Sequence, residues 1–174
     1  MPELKTSCAF TGHRPYKLPW KYNENDQRCA ALMRQLRRQI AELADNGVTD
    51  YYTGMAEGTD TLSALAVLKL RENNPAVRLH CIVPYHAQPD KWCIGSRARY
   101  FEILATADET VELSRDYYDG CLLDRNRYMV DHAGTLLAVY NGEYRGGTAA
   151  TIRYARKLDR KIIIIDPATA AVTA

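Results

Sequence analysis

Gly146, Gly147 and Thr148 stand just ahead of an apolar helical pattern, "TAATIRYARKL". Glycines let a backbone approach a ligand closely, and the free N–H groups of a helix start attract an anion. The structural alternative is a glycine turn with Thr148 as the cap. A second loop, "TGHRP", offers Thr11 and Gly12 as a tight turn and Arg14 as a clamp for phosphate or carboxylate. His13 is either a ligand contact or a polar surface group. A third loop, "TGMAEGTD", has Gly54 and Gly58 between a strand pattern and a helix pattern, but adds Glu57 and Asp60. Two carboxylates would repel a phosphate and accept from hydroxyls, such as those of a ribose. Asp60 has the simpler alternative of capping its own helix. Arg125 and Asn126 differ again. Leu122, Met129 and Ala133 mark the inward stripe of a helix, Asn126 falls on that stripe and Arg125 borders it. Inward polar groups must find partners, either within the fold or on a ligand.

These loops need elements to hold them. "KTSCAF", "VTDYYT", "AVRLHCIVP", "ETVELS", "TLLAVY" and "KIIIID" are strand-sized apolar or β-branched runs. Between them lie helical patterns. Residues 25–46 repeat Cys29, Leu32, Met33, Leu36, Ile40 and Leu43 at helical spacing and end at Gly47. "TLSALAVLKLRE", "SRARYFEILATA", "CLLDRNRYMVDHA" and "TAATIRYARKL" follow, and the tail "PATAAVTA" reads as frayed. Regular βα alternation with near-continuously apolar strands predicts a mostly parallel sheet covered on both faces, a three-layer α/β/α sandwich. Such sheets bind ligands beyond the carboxyl ends of their strands, near the topological switch point. All the loops above would gather at that edge, joined by "PYHAQPDKW". Its Tyr85, His86 and Trp92 either stack on a base or, the heavier reading, pack the loop onto the body.

Composition sets outer bounds. The chain has 174 residues, 47% hydrophobic and 25% charged, without repeat or linker, which favours one domain over 1–174. A formal net charge of +2 gives no strong nucleic-acid footprint. No apolar run approaches bilayer length, and the first residues lack a signal-peptide core. Five cysteines without a C-x-x-C pair read as free thiols in a reducing cytosol. No two histidines have ligand spacing, so no metal site is expected; no cofactor is expected either. His80, alternating with apolar neighbours, reads as a core residue, and His132 as a helix-end residue.

"TGHRP", "TGMAEGTD", "VPYHAQPDKW", "DRNRYMVDHAG" and "GGTAATIRYA", in that order, resemble the SLOG superfamily, named for Smf/DprA and LOG proteins, and within it the YpsA-like branch. The resemblance spans nearly the whole chain. It implies a Rossmann-like fold and a pocket for a nucleotide or nucleotide derivative, such as AMP, ADP-ribose or NAD, in a sensor or regulator with no settled reaction. It also brings two competing functions. LOG enzymes remove the base from nucleoside monophosphates, and their Arg four residues before a Met matches Arg125 and Met129. Their catalytic Glu, three residues after the Gly-Gly-x-Gly-Thr threonine, corresponds here to Thr151, which cannot replace a carboxylate. DprA binds single-stranded DNA. Its motif resembles Thr53, Gly54, Ala56, Gly58 and Asp60, but Glu57 stands where it has Arg, and a carboxylate there repels DNA phosphate.

The expected ligand site therefore comprises Thr11, Gly12, His13 and Arg14; Gly54, Met55, Glu57, Gly58, Thr59 and Asp60; Arg125 and Asn126; and Gly146, Gly147 and Thr148. The leading expectation is a cytosolic nucleotide binder without catalysis, its oligomeric state open. Hydrolysis of an N-glycosidic bond through Glu57 or Asp60 is the first alternative, and a DNA-binding module the second.

Overall fold

In the computed structural model, which describes residues 3–174, six strands run parallel: β1 Ser7–Gly12, β2 Asp50–Thr53, β3 Arg78–Val83, β4 Glu109–Glu112, β5 Thr135–Val139 and β6 Lys161–Ile165. Strand β7, Val172–Thr173, pairs antiparallel with β6. The order across the sheet is β4-β3-β2-β1-β5-β6-β7. The helices are α1 Gln27–Asp45, α2 Thr59–Arg71, α3 Ile94–Thr106, α4 Cys121–Asp131 and α5 Gly147–Lys157.

The period of two along each strand divides the core. Cys8 and Phe10 join a cluster with Leu32, Leu36 and Ile40 of α1 and Ala64 and Val67 of α2. Ala9, between them, joins Met129 and Val130 of α4 and Ile152 of α5 on the opposite face. Helix α1 shows how the sequence dictates its element. Asp26 caps it by accepting the Arg28 N–H at 2.8 Å. Its stripe of Cys29, Leu32, Leu36, Ile40 and Leu43 is buried, and each larger side chain of that stripe stabilises the packing by about 2 kcal/mol. The three-layer α/β/α sandwich matches the expected fold class.

The tail departs from expectation. Rather than fraying, Val172 and Thr173 pair with Ile165 and Ile164, after a turn in which the Asp166 N–H donates to the Ala171 carbonyl at 2.9 Å. The edge of β6 offers unpaired backbone groups, and this short strand satisfies them. His80 is a buried core residue, as read. Its ring nitrogens lie 2.7 Å from carboxylate oxygens of Asp50 and of Glu109, and the ring stacks on Tyr52 at 4.7 Å.

The strand order contains one reversal. From β1 the chain moves outward through β2, β3 and β4, then returns to the other side of β1 with β5. Helix α1 follows β1 onto one face, and α5 follows β5 onto the other. The loops after β1 and β5 therefore part at the carboxyl edge and leave a crevice between them.

Candidate functional site

That crevice is a cleft of about 470 Å³. Thr11, Gly12, His13 and Arg14 line it from the β1 side, Asp60 from α2, Arg125 and Asn126 from α4, and Gly146, Gly147 and Thr148 from α5. Ten of the expected residues thus share one cavity.

Thr11 and Gly12 do not form a turn. They are the last residues of β1, in register with Ala138 and Val139 of β5. Parallel pairing at the centre of the sheet carries the strand past the point where Gly12 suggests an end. Gly12 is glycine for another reason: an added Cβ would collide with the Thr59 side chain. His13 is buried, and its Nε2 accepts the Asn141 N–H at 3.1 Å, tying the β1 loop to the β5 loop. Burial holds its pKa below the ordinary range, so the ring is neutral near pH 7 with its proton on Nδ1. Lys17 and Glu143 bridge the same loops at 2.7 Å.

The "TGMAEGTD" loop is shaped by two residues of positive φ, Met55 at 58° and Gly58 at 87°. The turn at buried Met55 presents the Gly54 and Met55 carbonyls inward. Gln88 donates to both, at 3.4 and 3.2 Å, and Arg125 donates to Gly54 from Nη1. Gly54 leaves room for that guanidinium, because a Cβ would lie 2.5 Å from Nη1. Thr59 donates from both its N–H and its hydroxyl to the His13 carbonyl, at 3.2 and 3.0 Å. Gly54, Met55 and Thr59 therefore support the cleft from beneath and do not line it. Glu57 and Asp60, three residues apart, part company here. Asp60 reaches the cleft, whereas Glu57 lines a neighbouring groove of about 300 Å³ with Trp20, Tyr22, Trp92 and Gly58.

Asp60 is buried and accepts the Ala56 N–H at 3.2 Å, which fixes the loop and does not cap the helix. Burial raises its pKa, against the opposing pull of Arg125. A raised folded-state pKa means that ionising Asp60 costs stability above that pKa. The cost disappears as pH falls through the folded value toward the unfolded one, about 3.9. Asp60→Asn should therefore raise the melting temperature near neutral pH, with the gain shrinking toward about pH 4. Scanning fluorimetry across a pH series checks the sign.

Arg125 is 4% exposed. Its Nε donates to Asn126 at 2.8 Å, and its Nη1 to Gly54 and, at 3.5 Å, to Gln88. Among the described residues, Nη2 makes no hydrogen bond and no carboxylate forms an ion pair with the guanidinium. Asp60 acts on it only at longer range, and Arg14 repels it. Asn126 donates in turn to Thr151 at 2.9 Å, and Thr151 to the Gly147 carbonyl at 2.8 Å. Thr151 is thus a buried tie between α4 and α5.

Helix α5 is capped by Gly146, not Thr148. Gly146 has φ 106°, and among the described residues no side chain caps the first-turn amides. Arg14, Lys17, Arg125 and Arg145 line the cleft against one acid, Asp60, a formal +3 inside a chain of net +2. Sequence reasoning missed Lys17, Arg145 and Gln88. Lys17 and Arg145 are five or fewer residues from motif glycines but carry no spacing signal. Gln88 matters through contacts that only the fold makes: it donates to the Gly54 and Met55 carbonyls and accepts from buried Arg125. Among the described residues no group of His, Cys, Asp and Glu could hold a metal, and no helix is long and apolar enough to cross a membrane.

A doubly wound parallel sheet with a basic cleft at its switch point defines a Rossmann-like α/β protein. The chain belongs to the YspA SLOG family, whose profile matches residues 8–168. It is 26% identical over 151 residues to a UPF0398 protein of Halalkalibacterium halodurans, covering 86% of this chain and 79% of that one. To the UPF0398 protein YpsA of Bacillus subtilis it is 23% identical, covering 86% and 83%. Among solved structures, DNA processing protein A of Helicobacter pylori, described for its single-stranded DNA binding mode, superposes with a TM-score of 0.64 and 16% identity over 94% of this chain and 66% of its own. The Streptococcus pneumoniae protein of that name gives 0.61 and 14%, over 92% and 50%. The chain spans only half to two thirds of those proteins, and at such identities the likeness is one of fold.

Proposed function

We propose that this protein binds a nucleotide or nucleotide derivative of the AMP, ADP-ribose or NAD kind, and acts in the cytosol as a ligand-dependent regulator without catalysis. The observation that carries this reading is Arg125. A guanidinium stays charged, and a buried charge without an ion partner is costly. A ligand phosphate placed between Nη2 and the uncapped amides of α5 would remove that cost and satisfy both donors. Asp60, which lines the same cleft, would accept from a ribose hydroxyl.

Catalysis fits less well. Glycosidic hydrolysis ordinarily uses a pair of carboxylates, and one acid lines this cleft. Thr151, at the position of the LOG glutamate, is committed to Asn126 and Gly147. Single-stranded DNA is the competing ligand, favoured by the fold likeness and the +3 cleft.

Thermal-shift and calorimetric titration with AMP, ADP-ribose, NAD and cyclic nucleotides tests the proposal. At a hundredfold excess over Kd the melting temperature should rise by about 7 °C. No shift with any of them, in folded protein, would remove the reading. A salt-sensitive gel shift with single-stranded DNA in that same protein would put the DNA reading in its place.

A further inference from the structure

A second cavity of about 550 Å³ opens beside the cleft, between the loop after β3 and the loop before α4. Arg14 and Leu122 line both cavities, so the two spaces are contiguous. They also share a floor. Gln88 lies under the second cavity and Arg125 under the cleft. The two side chains are hydrogen-bonded at 3.5 Å, and both hold the Gly54 carbonyl.

The walls of the two spaces differ in chemistry. The cleft is basic, with Tyr16 as its single aromatic, whereas Tyr85, Trp92 and Tyr117 face the second cavity, beside Asp90 and Lys91. Tyr85 and Tyr117 meet edge to face, with centroids 5.4 Å apart and planes at 82°. Perpendicular rings form a corner, in which a flat heterocycle can stack on one face while its edge meets the other ring. Tyr117 is 59% exposed and belongs to neither core cluster, so core packing does not account for it. Arg14 stands between the basic and aromatic ends, its side chain without a hydrogen-bond or ion-pair partner among the described residues.

We propose that the second cavity is the base subsite of the ligand whose phosphate lies over Arg125, with the base in the Tyr85–Tyr117 corner and the sugar passing Arg14 and Leu122. This rests on the nucleotide-binding reading above and adds where the base goes. The ligand class becomes a phosphate ester that carries an aromatic ring, in contrast to a bare sugar phosphate or inorganic anion. The groove beside Glu57 is the rival place for the base, since it too is aromatic. It shares no lining residue with the cleft, and Pro15 and Gly58 line only its side.

Calorimetry on the full chain decides it, with AMP, ADP-ribose and ribose 5-phosphate as probes and Tyr117→Ala and Tyr22→Ala as variants. Both tyrosines are exposed, so both variants should fold. Ribose 5-phosphate should bind wild type about tenfold more weakly than AMP, from the loss of stacking. Tyr117→Ala should weaken AMP and ADP-ribose about tenfold and leave ribose 5-phosphate unchanged. Tyr22→Ala should change none of them. Loss of AMP affinity in Tyr22→Ala but not in Tyr117→Ala would move the base to the other groove and overturn the assignment, with the nucleotide reading intact. Equal affinity for AMP and ribose 5-phosphate would also overturn it, leaving only phosphate recognition. If none of the three probes binds, both proposals fall.

Discussion

Replacing Arg125 with methionine should cut nucleotide affinity roughly 100-fold, about 3 kcal/mol, while leaving the fold as stable as before. The two halves of this expectation have one origin. Arg125 is a buried cation whose desolvation is offset by neutral acceptors and by no carboxylate ion pair. In the unliganded protein it costs stability, and burial correspondingly lowers its pKa. Methionine fills a similar volume without that cost. Of the acceptors it would abandon, the buried Gly54 carbonyl keeps Gln88 as a donor at 3.4 Å, the Gln88 oxygen loses only a long bond of 3.5 Å, and the Asn126 oxygen is part-buried at the cleft wall. Titration calorimetry and urea unfolding, run on one preparation, separate the two quantities. A structural role for Arg125 would show as a fall in unfolding free energy of about 3 kcal/mol or more. A ligand role shows as lost affinity alone.

Gly58→Ala should have the largest effect on stability, a loss of about 4 kcal/mol. Gly58 has φ 87° and ψ −123°, a region that side-chain-bearing residues avoid. An added Cβ would lie 2.8 Å from the His13 carbonyl oxygen and 3.0 Å from Pro15. The His13 carbonyl cannot retreat, since it accepts both Thr59 bonds that join the β1 loop to α2. In a chain of this length the loss should lower the melting temperature by about 10 °C. Gly147→Ala is the control. Its added Cβ meets nothing within 4 Å, so stability should barely change, although the substitution stands at the proposed phosphate contact.

The layers were legible because strand and helix periods are local. Central strands such as "SCAFTG" and "TLLAV" are apolar on both faces, as a covered parallel sheet requires. Arg125 was only partly legible: the stripe through Leu122 and Met129 put Asn126 inward and Arg125 at its border, whereas the helix buries Cys121, Arg125 and Met129 and leaves Asn126 half-buried. What the sequence concealed depends on contacts between distant segments. Thr11 and Gly12 extend β1 because β5, more than a hundred residues later, pairs with them. The short β7 exists because the edge of β6 is open. Glu57 and Asp60 look like one acidic pair, yet the turns at Met55 and Gly58 send them to different cavities. A left-handed Met55 has no sequence signature. It is held by the inward bonds of Gln88 and Arg125 to the carbonyls beside it.

An anion is expected between Arg125 and the start of α5. A crystal structure of the protein grown with AMP or ADP-ribose tests it most directly. The expected density is a phosphate with oxygens about 3 Å from Arg125 Nη2 and from first-turn amides of α5, and a ribose hydroxyl at Asp60. A nucleotide bound with its phosphate elsewhere, and Arg125 unchanged beneath an unfilled cleft, would contradict it.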